Sequence, residues 1–375
     1  MPTINKISNI DNTFEGELFM QKTDISDLVP GMIVAENVVT FRDQLLYPAG
    51  YRLTDKAIIK LAFYSIPFIF VEDEHDHLDD TGMKTYSERV RNAPEFQQFA
   101  EEFEKDVYKF KNVINDVVKK NAPLDINDIL QNTLALLHHS TKNVHILEMI
   151  NNMRQYDDST YAHSINVALI SNVLATWLHM SENEVYLVTQ CGLLHDIGKL
   201  KVPDSIIKKP GRLTDEEFNI VKTHPFSGYE ILSGQNLNPH IANCAMMHHE
   251  RTDGSGYPYG LRGEKIDTYA KIISIADVYD AMTSARVYRG AMCPFKVINI
   301  LESEGLSKYD THFLLTFIEN ILNTYIKSNV RLSDGRCGEV IMINKQALSR
   351  PLIRCGSHYI DLSKEPDVVY IEEII

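Results

Sequence analysis

Between residues 93 and 120, apolar side chains recur at steps of four and three in an otherwise charged segment. The positions are Phe99, Phe103, Val107, Phe110, Ile114 and Val117. This spacing places them on one stripe of a helix. The stripe could pack on the chain's own core or form a dimer seam, and at fewer than four heptads packing within the chain is favoured. The Asn-Ala-Pro sequence at residues 121–123 should end the helix.

Short apolar runs separated by glycine, proline and aspartate fill residues 28–75 and predict a small α/β unit. Thr54 is placed to cap a helix that continues to Leu61, and residues 66–71 follow as a strand. The sequence of this unit contains neither a ligand cluster nor a phosphate-binding loop, which favours an input or docking module over an enzyme. The acidic residues 75–80 follow, and a solvated boundary is favoured there over a weak metal site.

Residues 125–328 have a helical pattern with two clear start signals. Capping boxes of the form Ser/Thr-x-x-Glu begin at Ser181 and Thr214, so helices should start one residue later in each case. Gly198 is expected to stop the first of these helices. Pro225 lies in the second and requires either a break or a new first turn.

The remaining residues change character again and predict a small β-rich appendage. Strands are expected at residues 340–343, 351–354 and 368–371, with a hairpin turn at residues 333–335. The fold class is therefore predicted as mainly α. The expected units are residues 1–75 (small α/β input or docking module), 76–124 (acidic boundary and amphipathic linker helix), 125–328 (helical domain) and 329–375 (β-rich appendage).

Composition and charge narrow the class of function. The 375 residues carry a formal net charge of −14, which argues against nucleic acid as a partner because such binding needs a cationic surface. No apolar run is long enough for a membrane span and no secretory signal begins the sequence, so neither membrane insertion nor export is expected and the localisation is predicted as cytoplasmic. The five cysteines lack C-x-x-C pairing and are expected to be reduced and mostly buried.

Seven residues of metal-ligating type occur between residues 152 and 288 without a cysteine among them. They are His163, His195, Asp196, His224, His248, His249 and Asp277. Imidazole and carboxylate ligands without thiolate suit iron, manganese or zinc held for chemistry. Seven ligands are too many for one ion, so the pattern predicts a two-metal hydrolase site. The pair His138-His139 lacks such a context and is not assigned to it.

Three motifs in this region resemble those of the HD-GYP phosphodiesterases. HDIGK begins at His195, HHERTDGSGYP begins at His248, and ADVYDAMTSARVYR begins at Ala276, in the family's order and at its intervals. The resemblance covers residues 150–325. It implies an all-helical HD-GYP domain that hydrolyses cyclic di-GMP, a bacterial second messenger, to pGpG and often onward to GMP.

The resemblance also implies roles for individual residues. One metal would be held by His163, His195, Asp196 and Asp277. Asp196 would bridge to a second metal held by His224, His248 and His249, and a hydroxide between the ions would attack phosphorus. His195, Asp196 and Lys199 are the expected catalytic residues. The expected substrate contacts are Lys199, Gly254, Gly256, Tyr257, Pro258, Arg286 and Arg289, with Asp280 supporting the cluster from behind.

One departure from the family pattern limits the metal count. Members that hold three metals have a glutamate four residues before the first histidine, where this chain has Ser159. We therefore predict two divalent ions, with iron or manganese ahead of zinc, nickel, cobalt or magnesium. Asp158 is one residue out of register for a third ion. The basic residues 208–212 are interpreted as a solvated loop, although they could also attract an anionic substrate.

Two other functions stay open from the sequence. The chain could be a phosphohydrolase for another cyclic dinucleotide, or a non-catalytic adaptor that binds cyclic di-GMP. Such adaptors usually lack ligands, and all seven are present here. Partners other than the small-molecule ligand would be a second copy of the chain or a signalling protein, bound through residues 93–120 or the N-terminal module.

Overall fold

The computed structural model is mainly helical. It describes residues 20–25, 28–40, 45–64, 66, 68–72, 93–139, 146–147, 149–150, 153, 160–207, 209, 213–284 and 293–375. The α-helices are α1 (Asp55–Phe63), α2 (Pro94–Lys120), α3 (Ile126–Leu136), α4 (Thr160–Trp177), α5 (Glu182–Leu194), α6 (Asp204–Ile207), α7 (Asp215–Val221), α8 (His224–Ser233), α9 (Pro239–Met247), α10 (Thr268–Ser284), α11 (Pro294–Ile300) and α12 (Thr311–Asn323). The strands are β1 (Met20–Asp24), β2 (Val38–Val39), β3 (Leu45–Tyr47), β4 (Phe68–Glu72), β5 (Asn329–Leu332), β6 (Cys337–Met342), β7 (Leu352–Cys355), β8 (His358–Asp361) and β9 (Ile371–Ile374).

The N-terminal unit is the predicted mixture of strands and one helix. β1 pairs antiparallel with β4, and β2 pairs antiparallel with β3. The hydroxyl of Thr54 accepts a hydrogen bond from the Ala57 backbone N–H at 3.1 Å, which caps α1 as its sequence predicted. Leu53 and Ile58 are buried in a small core of this unit, whereas Ile59 and Phe63 on α1 join the larger helical core.

The apolar stripe of α2 lies inside the chain's own core. Phe99, Phe103 and Phe110 are almost completely buried there, together with residues of the helical domain. Packing within the chain, the favoured prediction for this stripe, is what the structure has. Asn121 adopts a left-handed conformation with φ of 52° directly after the helix and ends it where the sequence indicated.

The helical region begins its helices where the capping boxes predicted. Ser181 and Glu184 cap α5 reciprocally, and Thr214 and Glu217 do the same for α7. α8 begins at His224, so Pro225 occupies its first turn and a new helix resolves the conflict that the proline posed.

Gly198 does not stop α5, and that prediction is wrong. α5 ends at Leu194, and a 3₁₀-helix, Ile197–Lys201, follows at once. A Cβ atom on Gly198 would lie 2.0 Å from the backbone oxygen of His224. The glycine therefore permits close contact between the 3₁₀-helix and the start of α8.

The C-terminal residues form one antiparallel sheet of five strands in the order β8-β7-β6-β5-β9. β5 and β6 are joined through the predicted turn at residues 333–335. The strand expected at residues 368–371 is wrong in position, since β9 covers Ile371–Ile374 and Val368 is exposed. Two apolar side chains, Val369 and Ile371, still enter the core from this segment.

A single π-helical turn, Leu301–Gly305, connects the helical domain to both flanking units. Glu302 accepts hydrogen bonds from the backbone N–H groups of Leu348 and Ser349 at 2.6 and 3.0 Å. These bonds hold the segment between β6 and β7 against the π-helical turn. Glu304 lies 3.0 Å from the Lys60 ammonium of α1. One hydrophobic core runs through α2, the helical domain and the sheet.

Candidate active site

The seven ligands predicted from the sequence lie together, and they come from helix ends and two helix interiors. His163 projects from α4 and Asp277 from α10, while His224 is the first residue of α8. His195 and His248 each follow the last residue of a helix, α5 and α9 respectively. A residue just past a helix end can turn its side chain away from the helical course. This allows Asp196 and His249, the next residues along the chain, to face the same cluster.

Three histidine rings are oriented by backbone carbonyl groups that lie just before them in the chain. The Nδ1 atoms of His195, His224 and His248 lie 2.7, 2.7 and 2.9 Å from the carbonyl oxygens three residues earlier. A carbonyl oxygen only accepts hydrogen bonds, so each Nδ1 carries the proton. In a neutral ring protonated at Nδ1, the Nε2 lone pair is the one that can bind a cation, which is the usual arrangement of metal-ligating histidines.

His163 is oriented by a carboxylate instead. Its Nδ1 lies 2.7 Å from Asp280 Oδ2, and its Nε2 lies 3.2 Å from Asp277 Oδ1. Burial lowers the pKa of this ring, but the hydrogen bonds to Asp277 and Asp280 outweigh burial and raise that pKa to about 10. Metal binding at His163 would therefore displace a proton.

Asp196 lies at the centre, and its two oxygens face different histidines. Oδ2 is 3.3 Å from His195 Nε2 and 2.5 Å from Lys199 Nζ, whereas Oδ1 is 3.3 Å from His224 Nε2 and 3.6 Å from His248 Nε2. Burial raises the pKa of this carboxyl, but the charge of the adjacent Lys199 ammonium outweighs burial and holds that pKa well below its usual range. Asp196 is therefore an anion with one oxygen on each side of the cluster.

The cluster fits divalent metal ions, because its acceptor atoms face one another. Among the described residues, His195 Nε2 and Asp196 Oδ1 are buried without a hydrogen-bond partner. His224 Nε2 and His248 Nε2 are 3.2 Å apart, and two unprotonated nitrogens at that distance repel each other unless a cation lies between them. Burial lowers the pKa of His248 to about 4, so this ring is neutral near neutral pH and its Nε2 lone pair is available to a cation.

The ligand atoms fall into two groups that share Asp196. Each group's atoms lie within 4.8 Å of one another: His163, His195 and Asp196 in the first, and Asp196, His224, His248 and His249 in the second. Asp277 borders both groups, with Oδ1 3.2 Å from His163 Nε2 and Oδ2 3.7 Å from His249 Nδ1.

The loop after His249 folds back over the second group. The Tyr257 ring is stacked on the His249 ring, with centroids 4.6 Å apart and an interplanar angle of 26°. Gly254 adopts φ of +79°, which an L side chain disfavours, and Gly256 packs against the backbone of residues 249–251. Tyr257 thus lies at the edge of the ligand cluster, and Pro258 follows it directly in the chain.

Several residues named in the sequence analysis lie elsewhere or outside the described residues. Arg286 and Arg289 are outside them, as are Asp158 and Ser159. In the basic segment 208–212 only Lys209 is described, and it is paired with Glu217 at 2.6 Å. His138 is exposed on a short 3₁₀-helix and belongs to neither of the ligand groups found among the described residues.

Sequence reasoning assigned no role to Glu250, although it lies inside the HHERTDGSGYP motif. Its side chain is buried and accepts hydrogen bonds from the backbone N–H groups of Tyr259 and Leu261 at 2.8 and 2.9 Å. Its position next to two histidines was the only sign in the sequence that Glu250 has a role. Its hydrogen-bond partners lie nine and eleven residues later in the chain, and they are backbone groups.

Residues 127–313 match the family model of the HD domain. The chain is a member of the HD-GYP family of HD-domain proteins. This match and the relatives described next together confirm the family inferred from the three motifs. The histidine and aspartate cluster of its HD domain is of a kind that suits divalent metal. None of the helices in the described part of this family member is both long and apolar enough to cross a membrane.

Curated relatives of this HD-GYP chain are bacterial cyclic-dinucleotide phosphodiesterases. A cyclic di-GMP phosphodiesterase of Pseudomonas aeruginosa is 35% identical over 203 residues, which are 54% of this chain and 49% of the relative. A cyclic di-GMP phosphodiesterase response regulator of Xanthomonas campestris pv. campestris is 47% identical over 137 residues, 36% of each chain. A 3′3′-cGAMP-specific phosphodiesterase of Vibrio cholerae is 39% identical over 170 residues, 44% of this chain and 39% of the relative. The chain thus spans about half or less of the length of these relatives.

Proposed function

We propose that this chain hydrolyses the phosphodiester bonds of cyclic di-GMP in a metal-dependent reaction. One observation carries the proposal: the buried acceptors His195 Nε2 and Asp196 Oδ1 have no hydrogen-bond partner among the described residues, and His224 Nε2 and His248 Nε2 face each other at 3.2 Å beside them. A bound cation would satisfy such a cluster. The relatives named as cyclic di-GMP phosphodiesterases support the substrate.

We propose that the cluster holds two ions, with Asp196 shared between them. The two ligand groups that meet at this residue support that number, and ligands of nitrogen and oxygen alone support iron or manganese. When bound, such ions activate water near neutral pH and offset the charge that develops on the phosphate. The chain's part is to fix the ions through rings whose Nδ1 atoms are already occupied.

Lys199 supplies a protein cation next to the proposed reaction centre. Burial lowers the pKa of its ammonium group, but the charge of Asp196 outweighs burial and raises that pKa above its ordinary value. Lys199 therefore stays protonated and can hold a phosphate oxygen rather than act as a base. We propose that Arg286 and Arg289 grip further phosphate oxygens, and that residues 254–258 contact the rest of the dinucleotide.

Product analysis tests the proposal. The protein is purified without oxygen, loaded with Fe²⁺ or Mn²⁺, and incubated with cyclic di-GMP, and the nucleotides are separated by chromatography. We expect pGpG, GMP or both. Intact substrate after long incubation with a fully metal-loaded protein would refute the activity.

The matched variants are Asp196→Ala and Asp215→Ala. Asp196→Ala should abolish turnover and remove at least one ion, since it deletes the residue common to both ligand groups. Asp215 is exposed in the first turn of α7, so its alanine variant should retain activity and metal. Full activity of Asp196→Ala would show that the shared-ligand assignment is wrong.

Another cyclic dinucleotide is the second candidate substrate. The Vibrio cholerae relative named as specific for 3′3′-cGAMP favours including it. A competition experiment with equal cyclic di-GMP and 3′3′-cGAMP measures the ratio of their kcat/KM values directly. Faster loss of 3′3′-cGAMP would reassign the substrate while leaving the metal-dependent chemistry in place. Binding without hydrolysis of either compound would indicate the adaptor.

A further inference from the structure

Glu250 is a buried carboxylate whose partners lie in the loop that covers the metal cluster. The residue is 2% exposed, and its two oxygens accept one hydrogen bond each from Tyr259 N–H and Leu261 N–H. A buried carboxylate is costly unless it is hydrogen-bonded, and bonds from backbone N–H groups to an anion are among the stronger ones. Glu250 therefore fixes residues 259–261 at a defined distance from its own backbone.

The same loop touches the cluster backbone at a second place. A Cβ atom on Gly256 would lie 2.4 Å from the His249 carbonyl oxygen and 2.5 Å from the Arg251 nitrogen. The Tyr257 N–H donates to the His249 carbonyl at 3.2 Å. Residues 256 and 257 therefore pack directly on the backbone segment that contains the metal-ligand residue His249.

His249 differs from the other ligating histidines in how its ring is held. The rings of His163, His195, His224 and His248 each have Nδ1 in hydrogen-bond contact with a carboxylate or carbonyl oxygen. Among the hydrogen bonds of the described residues, none involves the His249 ring. That ring is stacked on Tyr257 instead, and its Nδ1 is 3.7 Å from Asp277.

We infer that Glu250 is a positioning residue that orients the metal ligand His249 through the stacked ring of Tyr257. The order of contacts is Glu250 to residues 259 and 261, the loop to Tyr257, and Tyr257 to His249. Residues that orient metal ligands typically account for 10- to 100-fold in metal affinity. The inference rests on the proposed metal-dependent function.

The test measures Mn²⁺ binding to the full chain by electron paramagnetic resonance, without substrate. Glu250→Gln keeps the shape of the side chain but turns one acceptor into a donor that faces a backbone N–H. We expect the affinity for one of the two ions to fall about 10- to 100-fold. Glu264→Gln is the matched control, because Glu264 is exposed on the neighbouring 3₁₀-helix, Gly263–Lys265, and its variant should bind Mn²⁺ as the parent does.

A double-mutant cycle separates positioning from general destabilisation. Tyr257→Leu removes the stacked ring, so Glu250→Gln should change the Mn²⁺ affinity less than twofold in that background. The inference would be overturned if Glu250→Gln lowered the Mn²⁺ affinity as much in the Tyr257→Leu protein as in the parent. It would also be overturned if the Mn²⁺ affinity of the single variant Glu250→Gln stayed within threefold of the parent value. If Glu250→Gln does not fold, Gly256→Ala displaces the loop from its other end and should weaken the same ion, and unchanged affinity would overturn the inference equally.

The outcomes also distinguish the inference from the function on which it rests. A parent chain that binds no Mn²⁺ and leaves cyclic dinucleotides intact would refute the proposed function. A parent chain that binds two ions and hydrolyses substrate, alongside a Glu250→Gln variant with unchanged metal affinity, would refute the positioning role alone.

Discussion

Gly198 offers a sharp mechanical test of the site, because a single methyl group there has no space. The residue lies in the 3₁₀-helix that follows Asp196, and a Cβ atom would be 2.0 Å from the His224 carbonyl oxygen and 2.5 Å from the Gly228 nitrogen. Both neighbours are backbone atoms, so no side-chain rotation relieves the contact. Gly198→Ala must therefore separate the 3₁₀-helix from the start of α8.

The size of the required movement follows from the same distances. Cβ contacts in proteins stay beyond 3.0 Å, so the two segments must part by about 1 Å. Asp196 and Lys199 lie on one segment and His224 on the other. A displacement of about 1 Å between reacting groups costs on the order of 100-fold in rate, or about 2.7 kcal/mol. Overpacking of this kind should also lower the free energy of unfolding by about 1–3 kcal/mol.

The assay compares kcat/KM and metal content of the parent, Gly198→Ala and Gly234→Ala. Gly234 follows α8 at its other end, where a Cβ atom would meet only backbone oxygens at 3.7 and 3.9 Å, so its alanine variant is the control for the same helix. We expect the loss in Gly198→Ala alone. A Gly198→Ala protein with parental rate and two bound ions would refute the idea that this backbone contact sets the distance between the ligand groups.

Two further substitutions test other contacts. Asp280→Asn removes the charge that orients the His163 ring at 2.7 Å, so metal affinity should fall about 10- to 100-fold in a Mn²⁺ titration, and unchanged affinity would contradict that role. Burial raises the pKa of Asp106 from 3.8 to about 6 in the folded protein. The free energy of unfolding therefore falls as pH rises through this interval, because the unfolded chain gives up this proton before the folded one does. Asp106→Asn should therefore raise the free energy of unfolding by about 3 kcal/mol at pH 7.5 and by about half of that at pH 5. Equal gains in urea unfolding at both pH values would contradict this interpretation.

The parts of the fold that were predicted correctly depend on local chemistry. Ser181 and Thr214 cap helices through residues three positions away, and the stripe of α2 repeats within each two turns. The strand expected at residues 368–371 was misplaced because its position depends on pairing with β5, about 40 residues earlier along the chain. The apolar residues of this segment do not by themselves indicate which of them will pair with a strand so far away in the sequence.

The ligand types and their order along the chain were sufficient to name the members of the cluster. They did not predict the backbone packing that sets the distances between the members of the cluster. Gly198 was interpreted as a helix stop because a glycine after a helical run is usually one, whereas its role depends on the His224 backbone, 26 positions later. Glu250 was passed over for the same reason, since its partners are backbone N–H groups and carry no residue type to recognise.

The shared hydrophobic core has a consequence for how such a protein can be rearranged. Phe99 and Phe103 of α2 and Val330 and Ile353 of the sheet are buried in the same core as the ligand-bearing helices. A fragment cut at residues 125 and 328 would lose both sets of side chains and expose the core surface that they cover. Exchange of the N-terminal unit between such proteins therefore requires a junction ahead of α2, so that the donor helix brings its own apolar stripe to the recipient core.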